Sequence, residues 1–571
     1  MWPPRSKHLS KFILGVHVGH NSAACIGDAD GLRFAIQEER LNGEKNYWGF
    51  PEAAIKACLA HVGARAGDLA CIAVGSRFIL HRYHSREDVV ASYEKQRTPM
   101  GFIRNAVGVP LALTFMKTHG QPEVKRHLAR IGLGEVPTEF HDHHRTHAAT
   151  AYYGLRRDPD SSHVVLSCDG SGDHLSGSVR VWSGSEEQVL STIADSDSLG
   201  AIYGLVTHAM GFTPLEHEYK LMGMAPYAAP KYAEEHARIF ENYLAVEGLT
   251  FKRKTTLPTY MLLERILEDI QGKRFDNVCA GLQRFAEEML VKWTGNVLRK
   301  TGNGRVVAAG GVFMNVKANK AIAALDGVES FEAFPSCGDE TLAMGAFWLE
   351  AAKRFGNDAV RPLTHFYLGD DLDPAETQRA VEGSGFVVSK PADMGASVAD
   401  LLVKGQPVAR CAGRMEFGAR ALCNRSILAD PKNQDVVRVI NQMVKKRDFW
   451  MPFAPVVLAE RQHEYLKNDK RLKSPYMMMT FDTRANFTDM IAAVHNADLT
   501  CRAQLLEKGQ NPQVEAIMNA FIQRTGRAVL LNTSFNLHGF PIVRTAKEAL
   551  YVFQNSGLEH LQVGDFLVAK R

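Results

Sequence analysis

The chain has 571 residues, 45% of them hydrophobic and 23% charged, with a formal net charge of +4. That length exceeds what a single hydrophobic core supports, so roughly two to four domains are expected. Near-neutral charge excludes the clustered cationic footprint of a nucleic-acid binder, and nine cysteines without a Cys-x-x-Cys pair argue against zinc fingers or a disulfide scaffold and for a reducing compartment.

The start, Met-Trp-Pro-Pro-Arg-Ser-Lys-His, has no apolar run before the strand at Phe12, so no secretory signal is expected and the protein is placed in the cytoplasm. The longest apolar stretch, near Phe102 to Met116, is broken by Arg104, Asn105 and Pro110 and is too short to span a bilayer. Phe12 to Val18 reads as a buried strand ending in Gly19-His20-Asn21 and a small-residue segment. A second strand, Leu32 to Gln37, ends in Glu38-Glu39, and Pro51 opens a helix that Ala53 to His61 continues. Cys71 to Val74 is another strand. Val164 to Cys168 is a strand running into Asp169-Gly-Ser-Gly-Asp173, with further strand through Val179 to Trp182. Two strand starts with Gly-rich, acid-bearing turns suggest two related lobes around a cleft. Arg305 to Ala309 is a strand entering Gly310-Gly311 and a helical stretch with Asn315 and Asn319. The segment 354–374, marked by Gly356, Pro362, Gly369 and Pro374, reads as a connector. Beyond it Pro407 to Cys411 opens a separate α/β domain, in which Ala528 to Leu531 leads into Asn532-Thr-Ser-Phe-Asn536.

Several groups can carry chemistry. His143 and His147 stand four apart, so both imidazoles share a helix face, with Asp169 as a nearby carboxylate. A metal pair and a solvated capping cluster are both open at this point. Gly170 lets backbone approach a phosphate or simply turns a hairpin, and Gly310-Gly311 before a helix suits an anion. Asp339, in Pro-Ser-Cys-Gly-Asp339-Glu, is a fourth ligand or an N-cap. Lys220 reaches a phosphate or faces solvent. Farther on, Arg414, Arg420 and Arg425 form a set of possible phosphate forks. Lys445-Lys446-Arg447 precedes Phe449-Trp-Met-Pro-Phe-Ala-Pro455, which must pack. Thr500-x-Arg502-x-Gln504, with Ser534 and Asn536, reads as alternating polar residues directed from a strand face into one pocket. Cys423 is read as packing. The chain has no Gly-x-Ser-x-Gly elbow, no P-loop and no Gly-x-Gly-x-x-Gly after a strand.

Taken in order, ten segments resemble the O-carbamoyltransferase family of the nodulation, cephem hydroxymethyl and tobramycin carbamoyltransferases. They are His20-Asn-Ser-Ala-Ala24, Glu38-Glu-Arg40, His143-His-Arg-Thr-His-Ala-Ala149, Asp169-Gly170, Glu218-Tyr-Lys-Leu-Met-Gly-Met-Ala-Pro-Tyr227, Ala309-Gly-Gly-Val-Phe-Met-Asn315, Cys337-Gly-Asp339, Gly418-Ala-Arg-Ala-Leu-Cys-Asn-Arg-Ser-Ile427, Pro452-Phe-Ala-Pro455 and Leu531-Asn-Thr-Ser-Phe-Asn536.

The resemblance implies an α/β chain: an actin/hexokinase-type (ASKHA), two-lobed, ATPase-like N-terminal domain over 1–365 and a YrdC-like α/β domain over 375–571. It also implies ATP and carbamoyl phosphate as substrates of the second domain, Mg2+ with the ATP, and transfer of the carbamoyl group to a hydroxyl of a small-molecule natural product. His20 is implied as general base. His143, His147, Asp169 and Asp339 are implied as ligands of a divalent metal, iron (Fe2+) in the family. Gly170, Lys220, Gly310, Gly311 and Asn315 would line the nucleotide cleft. Arg420, Lys445, Arg447, Arg502, Ser534 and Asn536 would bind carbamoyl phosphate and ATP. The segment 78–134 matches no shared motif and is read as the acceptor-recognition insert. No nucleic acid or membrane is expected as a partner, and a homodimer fits the resemblance. The second reading, a tRNA threonylcarbamoyl transferase-like enzyme, predicts a basic tRNA face, against which the near-neutral charge speaks. Asn21, Cys423, Met451 and Phe540 depart from the family's usual Asp, Gly, Arg and Gly-Glu-Pro.

Overall fold

A computed structural model of the chain describes residues 12–79, 86–95, 120–156, 161–357, 360–444 and 448–571. Much of the 78–134 insert, and both Lys445 and Arg447, therefore lie outside the described residues. The apolar run Phe12–His17 is the central strand of a five-stranded sheet whose spatial order is Gly31–Gln37, Ala23–Asp28, Phe12–His17, Leu69–Val74, Thr138–Phe140. The first three strands are antiparallel; the last two run parallel to the central one. A second sheet repeats the scheme in the order Glu186–Ala194, Leu175–Ser183, His163–Gly172, Arg305–Ala309, Ser330–Ala333. Again three strands are antiparallel and two parallel. This duplication is the two-lobed actin/hexokinase-type architecture.

The small-residue segment after His20 is itself a strand, Ala23–Asp28, buried throughout. Small side chains are needed there because helix Leu342–Phe355 lies close above it, with Cys25 Sγ 3.2 Å from the Ala343 carbonyl. Helix His143–Leu155 packs on the second sheet and against Leu342–Phe355, so a two-helix layer separates the sheets. At the crossing a Cβ on Gly345 would lie 2.2 Å from the Thr146 carbonyl oxygen. Only glycine allows that approach. Tyr152, Phe334 and Trp348 are fully buried in the same core, each contributing about 2–3 kcal/mol of apolar burial.

The strand read over Val164 to Cys168 extends to Gly172, so Asp169-Gly170 lies within it. The hairpin instead turns at Asp173 and His174, both left-handed with φ of 51° and 69°. Two successive positive φ values make the primed turn that matches strand twist, and a short polar side chain tolerates them.

The C-terminal part builds an eight-stranded mixed sheet in the order Val387–Ser389, Phe566–Ala569, His560–Val563, Val408–Cys411, Arg425–Ala429, Val529–Ser534, Ala454–Leu458, Gln504–Leu506. The alternation expected over Thr500-x-Arg502-x-Gln504 is not one strand. Thr500–Cys501 pairs in a separate three-stranded sheet and Gln504–Leu506 joins the large one, so the chain changes sheet around Arg502. No helix among the described residues is long and apolar enough to cross a membrane.

Candidate active site

Asp142 caps the helix His143–Leu155, its side chain accepting from the Arg145 amide at 2.9 Å. That cap fixes the first turn, and the i,i+4 spacing then places both imidazoles on one face, ring centroids 4.8 Å apart. Asp169 projects toward them from the central strand of the second lobe. Its Oδ2 is 3.1 Å from His147 Nε2 and 3.6 Å from His143 Nε2. Asp339, at the start of the turn before helix Leu342–Phe355, brings Oδ1 to 3.6 Å from His143 Nε2 and 3.4 Å from His147 Nε2. One ligand atom from each of the four residues lies within 4.8 Å of every other.

The donor set fits a divalent cation. His143 Nδ1 and Ser76 Oγ are 3.1 Å apart, which leaves Nε2 turned inward, buried and without a hydrogen-bond partner. An imidazole anchored through one nitrogen and open at the other is a ligand held by its outer contact. Two imidazoles and two carboxylates suit iron, manganese or zinc. Burial alone would disfavour charge on His143, but the carboxylates of Asp339 and Asp169 outweigh it and push it up to about 9. Burial would likewise raise Asp169, yet the bonds and charge of His143 and His147 hold its carboxyl well below the usual range.

Three residues that sequence reasoning passed over build this centre. Asp173 Oδ2 accepts from the Arg77 and His143 amides at 2.9 and 2.8 Å, and Oδ1 from the Phe78 amide at 2.8 Å. It ties the histidine helix to the first lobe. Ser76 anchors the His143 ring through Nδ1. His17 Nε2 lies 3.9 Å from Asp339 Oδ2 and 3.0 Å from the His20 carbonyl oxygen, and burial pushes it down to about 4. Asp173 was visible as the acid closing a Gly-rich turn. His17 and Ser76 gave no signal of their own.

His20 pairs with Trp48 across a two-stranded ribbon, ring centroids 5.3 Å apart. Burial lowers its basicity, and Asp339 and Asp169 partly restore it. A shift toward the neutral form, with two carboxylates to stabilise the cation, suits an imidazole that accepts a proton.

The glycine and cleft residues fare differently. A Cβ on Gly311 would come within 2.9 Å of Asp169 Oδ1, so Gly311 serves the carboxylate's close approach. Gly310 has φ of 102° and its amide bonds the Cys337 carbonyl oxygen. Space opens around Gly170. Asn315 caps helix Val316–Ala323 and exchanges amide bonds with Gln283 at 2.9 Å. Lys220 is ion-paired with Asp448 of the C-terminal part at 3.0 Å. Both side chains expected in the nucleotide cleft thus have structural partners.

In the C-terminal part the reading of three phosphate-binding arginines needs correction. Arg414 donates to the carbonyls of Arg33, Leu368 and Gly369, and Arg425 to those of Gly413, Asn424 and Arg544. Buried backbone oxygens at loop crossings need donors, and these forks supply them. Arg420 stands in the loop between strands Val408–Cys411 and Arg425–Ala429, and Arg502 at the change of sheet. Ser534 ends its strand opposite Ser426 and donates to Asn536 Oδ1 at 2.7 Å.

Family models decide the affiliation. One described as "Carbamoyltransferase N-terminus" matches residues 12–348, and one described as "Carbamoyltransferase C-terminus" matches residues 399–570. The chain belongs to the carbamoyltransferase family. As a carbamoyltransferase it is a transferase enzyme. It is 31% identical over 573 residues to nodulation protein NolNO of Sinorhizobium fredii, covering 97% of this chain and 79% of that protein. It is 33% identical over 442 residues to nodulation protein NolO of Bradyrhizobium diazoefficiens, covering 75% and 79%. To 3'-hydroxymethylcephem-O-carbamoyltransferase of Amycolatopsis lactamdurans it is 28% identical, covering 45% of this chain and 47% of that one. Among solved structures, HypF of T. kodakarensis aligns with a TM-score of 0.34 at 13% identity, covering 62% of this chain and 50% of that one.

Proposed function

We propose that this carbamoyltransferase is an ATP-dependent O-carbamoyltransferase acting on a hydroxyl of a small-molecule natural product. The C-terminal part, YrdC-like in this reading, takes carbamoyl phosphate and ATP. Water cleaves carbamoyl phosphate to carbamate and phosphate; the carbamate oxygen then attacks the α-phosphorus of ATP and pyrophosphate leaves. The product, carbamoyl-adenylate, passes inside the protein to the N-terminal lobes. There the acceptor oxygen attacks the carbamoyl carbon, the bond to the adenylate oxygen breaks, and AMP departs. Arg420, Arg502, Ser534 and Asn536, together with Lys445 and Arg447, are assigned to the first step.

His20 takes the acceptor's hydroxyl proton on its imidazole. Burial lowers its basicity and so favours the neutral, accepting form, while Asp339 and Asp169 stabilise the imidazolium that results. A divalent cation, iron in this reading, held by His143, His147, Asp169 and Asp339 would supply Lewis-acid stabilisation of phosphate charge. Trp48 beside His20 keeps water from one side of the base, which protects a hydrolysable mixed anhydride.

The observation that carries the reading is the convergence of two imidazole Nε2 atoms and two carboxylates, in a chain matched by both carbamoyltransferase family models. The test supplies carbamoyl phosphate and ATP, measures AMP and pyrophosphate, and screens hydroxylated metabolites for a mass gain of one carbamoyl group. His20→Asn should abolish transfer and keep pyrophosphate release. Joint loss of both in a folded variant would refute the division of labour.

A further inference from the structure

Helix Glu218–Met224 and the turn before it make contacts toward the His20 ribbon on one side and toward the C-terminal part on the other. On its N-terminal side Glu216 pairs with Lys45 at 2.9 Å, in the segment that leads to Trp48, the ribbon partner of His20. On its other side it receives the segment 448–451 of the C-terminal part. Lys220 Nζ lies 3.0 Å from Asp448 Oδ2 and 5.0 Å above the Phe212 ring. Trp450 Nε1 donates to the Lys220 carbonyl oxygen at 3.1 Å, and the indole meets Phe212 and Phe275 with centroids 6.5 and 5.9 Å away. At Gly223 the approach is so close that a Cβ would lie 2.9 Å from Met451 Sδ. The Gly223 carbonyl oxygen lies 2.8 Å from His495 Nε2, a third tie to the C-terminal part.

Segment 448–453 then enters strand Ala454–Leu458, whose Ala454 pairs with Asn532 in the strand that ends at Ser534. Ser534 in turn pairs with Ser426. Where segment 448–453 sits is therefore inherited by the edge carrying the Ser534 hydroxyl.

We infer that Lys220, Gly223, Asp448 and Trp450 form a latch by which the N-terminal lobe positions the Ser534 edge, making carbamoyl activation dependent on docking. The four are positioning residues. The inference rests on the two-step reading above for its catalytic consequence, and on the contacts alone for docking. An ion pair with a ring above the ammonium and an indole N–H on the same residue's carbonyl fixes direction as well as distance. A lysine so held is not presented to a phosphate.

The test uses the full chain. Lys220→Glu opposes two carboxylates, and Lys220→Glu with Asp448→Lys restores an ion pair of reversed sense. Contacting charged pairs couple strongly enough that the single variant should lose on the order of tenfold in acceptor-free pyrophosphate release, through a raised KM for ATP and carbamoyl phosphate. The double variant should recover to within about threefold. Thermal unfolding without substrate should show the C-terminal part melting earlier in the single variant and rejoining in the double. Failure of the double variant to recover either readout, or an unchanged melt in Lys220→Glu, overturns the latch. Absence of pyrophosphate release in the unaltered enzyme would instead count against the two-step reading, with the melting comparison still deciding the latch.

Discussion

Asp173→Asn looks conservative and should not be. The native carboxylate accepts three amide protons: Oδ2 takes those of Arg77 and His143, Oδ1 that of Phe78. A carboxylate has only acceptors to offer, whereas an amide presents one oxygen and two N–H donors. The best orientation gives the oxygen to Arg77 and His143 and turns the NH2 toward the Phe78 amide, donor against donor. One partly buried amide left unsatisfied in this way costs about 1–3 kcal/mol. Asp173→Ala strands all three, but the Arg77 amide reaches solvent, so the loss should be about 2–4 kcal/mol. Because the His143 amide is one of the three, the first turn of the ligand helix loosens and metal affinity should fall about 10–100-fold. Urea unfolding with a chelator present measures the first effect, and competition against a chromophoric chelator the second. An Asp173→Asn protein as stable as the parent, with equal affinity for metal, would refute the idea that this carboxylate organises the centre.

Gly345→Ala places a methyl 2.2 Å from the Thr146 carbonyl oxygen, so the two central helices must separate; a stability loss of about 1–3 kcal/mol, read by denaturant unfolding, is expected. Ser76→Ala releases His143 Nδ1 from its 3.1 Å partner, and metal competition should show about tenfold weaker binding with little change in fold stability. Burial pushes the Glu218 carboxyl up to about 7 from an ordinary value of 4.5, against a hydrogen bond from the Leu215 amide. An acid whose folded value is raised contributes stability that is present below the ordinary value and lost as pH climbs through the folded one. Glu218→Gln should therefore gain about 1–2 kcal/mol over the parent above pH 7 and nothing below about pH 4.5, as unfolding curves at a series of pH values would show.

The lobes were legible because their strands are continuous apolar runs and their turns carry glycine beside acid. Phe12–His17 and Arg305–Ala309 stand where periodicity put them, and the strand read over Val164 to Cys168 is present but runs on to Gly172. Ala23–Asp28 was missed because its small residues signal a loop by composition; only the helix packed above them explains their size. The His143 and His147 pair was legible by spacing alone, since helical geometry converts i,i+4 directly into proximity. Asp169 and Asp339 stood out as acids beside glycine, but only as open alternatives, because no local rule brings residues so distant in sequence together; the family resemblance joined them to the histidines. The misreadings in the C-terminal part share one cause. Arginine reads as a phosphate fork in sequence, but where loops cross, buried carbonyls compete for the same donors, and at Arg414 and Arg425 the carbonyls win. The partner of Lys220 was equally illegible: a lone cation amid apolar residues gives no hint that its counter-ion, Asp448, lies more than two hundred residues ahead.

Duplication explains why the centre sits where it does. In the first lobe the strand parallel to the central one, Leu69–Val74, is followed by Gly75-Ser76; in the second, Arg305–Ala309 is followed by Gly310-Gly311. Equivalent positions in the two topologies thus deliver Ser76 to His143 and Gly311 to Asp169, one from each lobe, to the same donor set. The central strands do the same: Phe12–His17 leads into His20, while His163–Gly172 carries Asp169. His20 and Asp169 are therefore supplied by the central strands of different lobes, with Asp339 at the foot of the helix that packs beside the histidine helix. A rotation of one lobe on the other would break the Ser76 contact of His143 or the Asp173 bonds to the Arg77 and Phe78 amides, so the groups that orient the histidine helix also hold the two lobes in register.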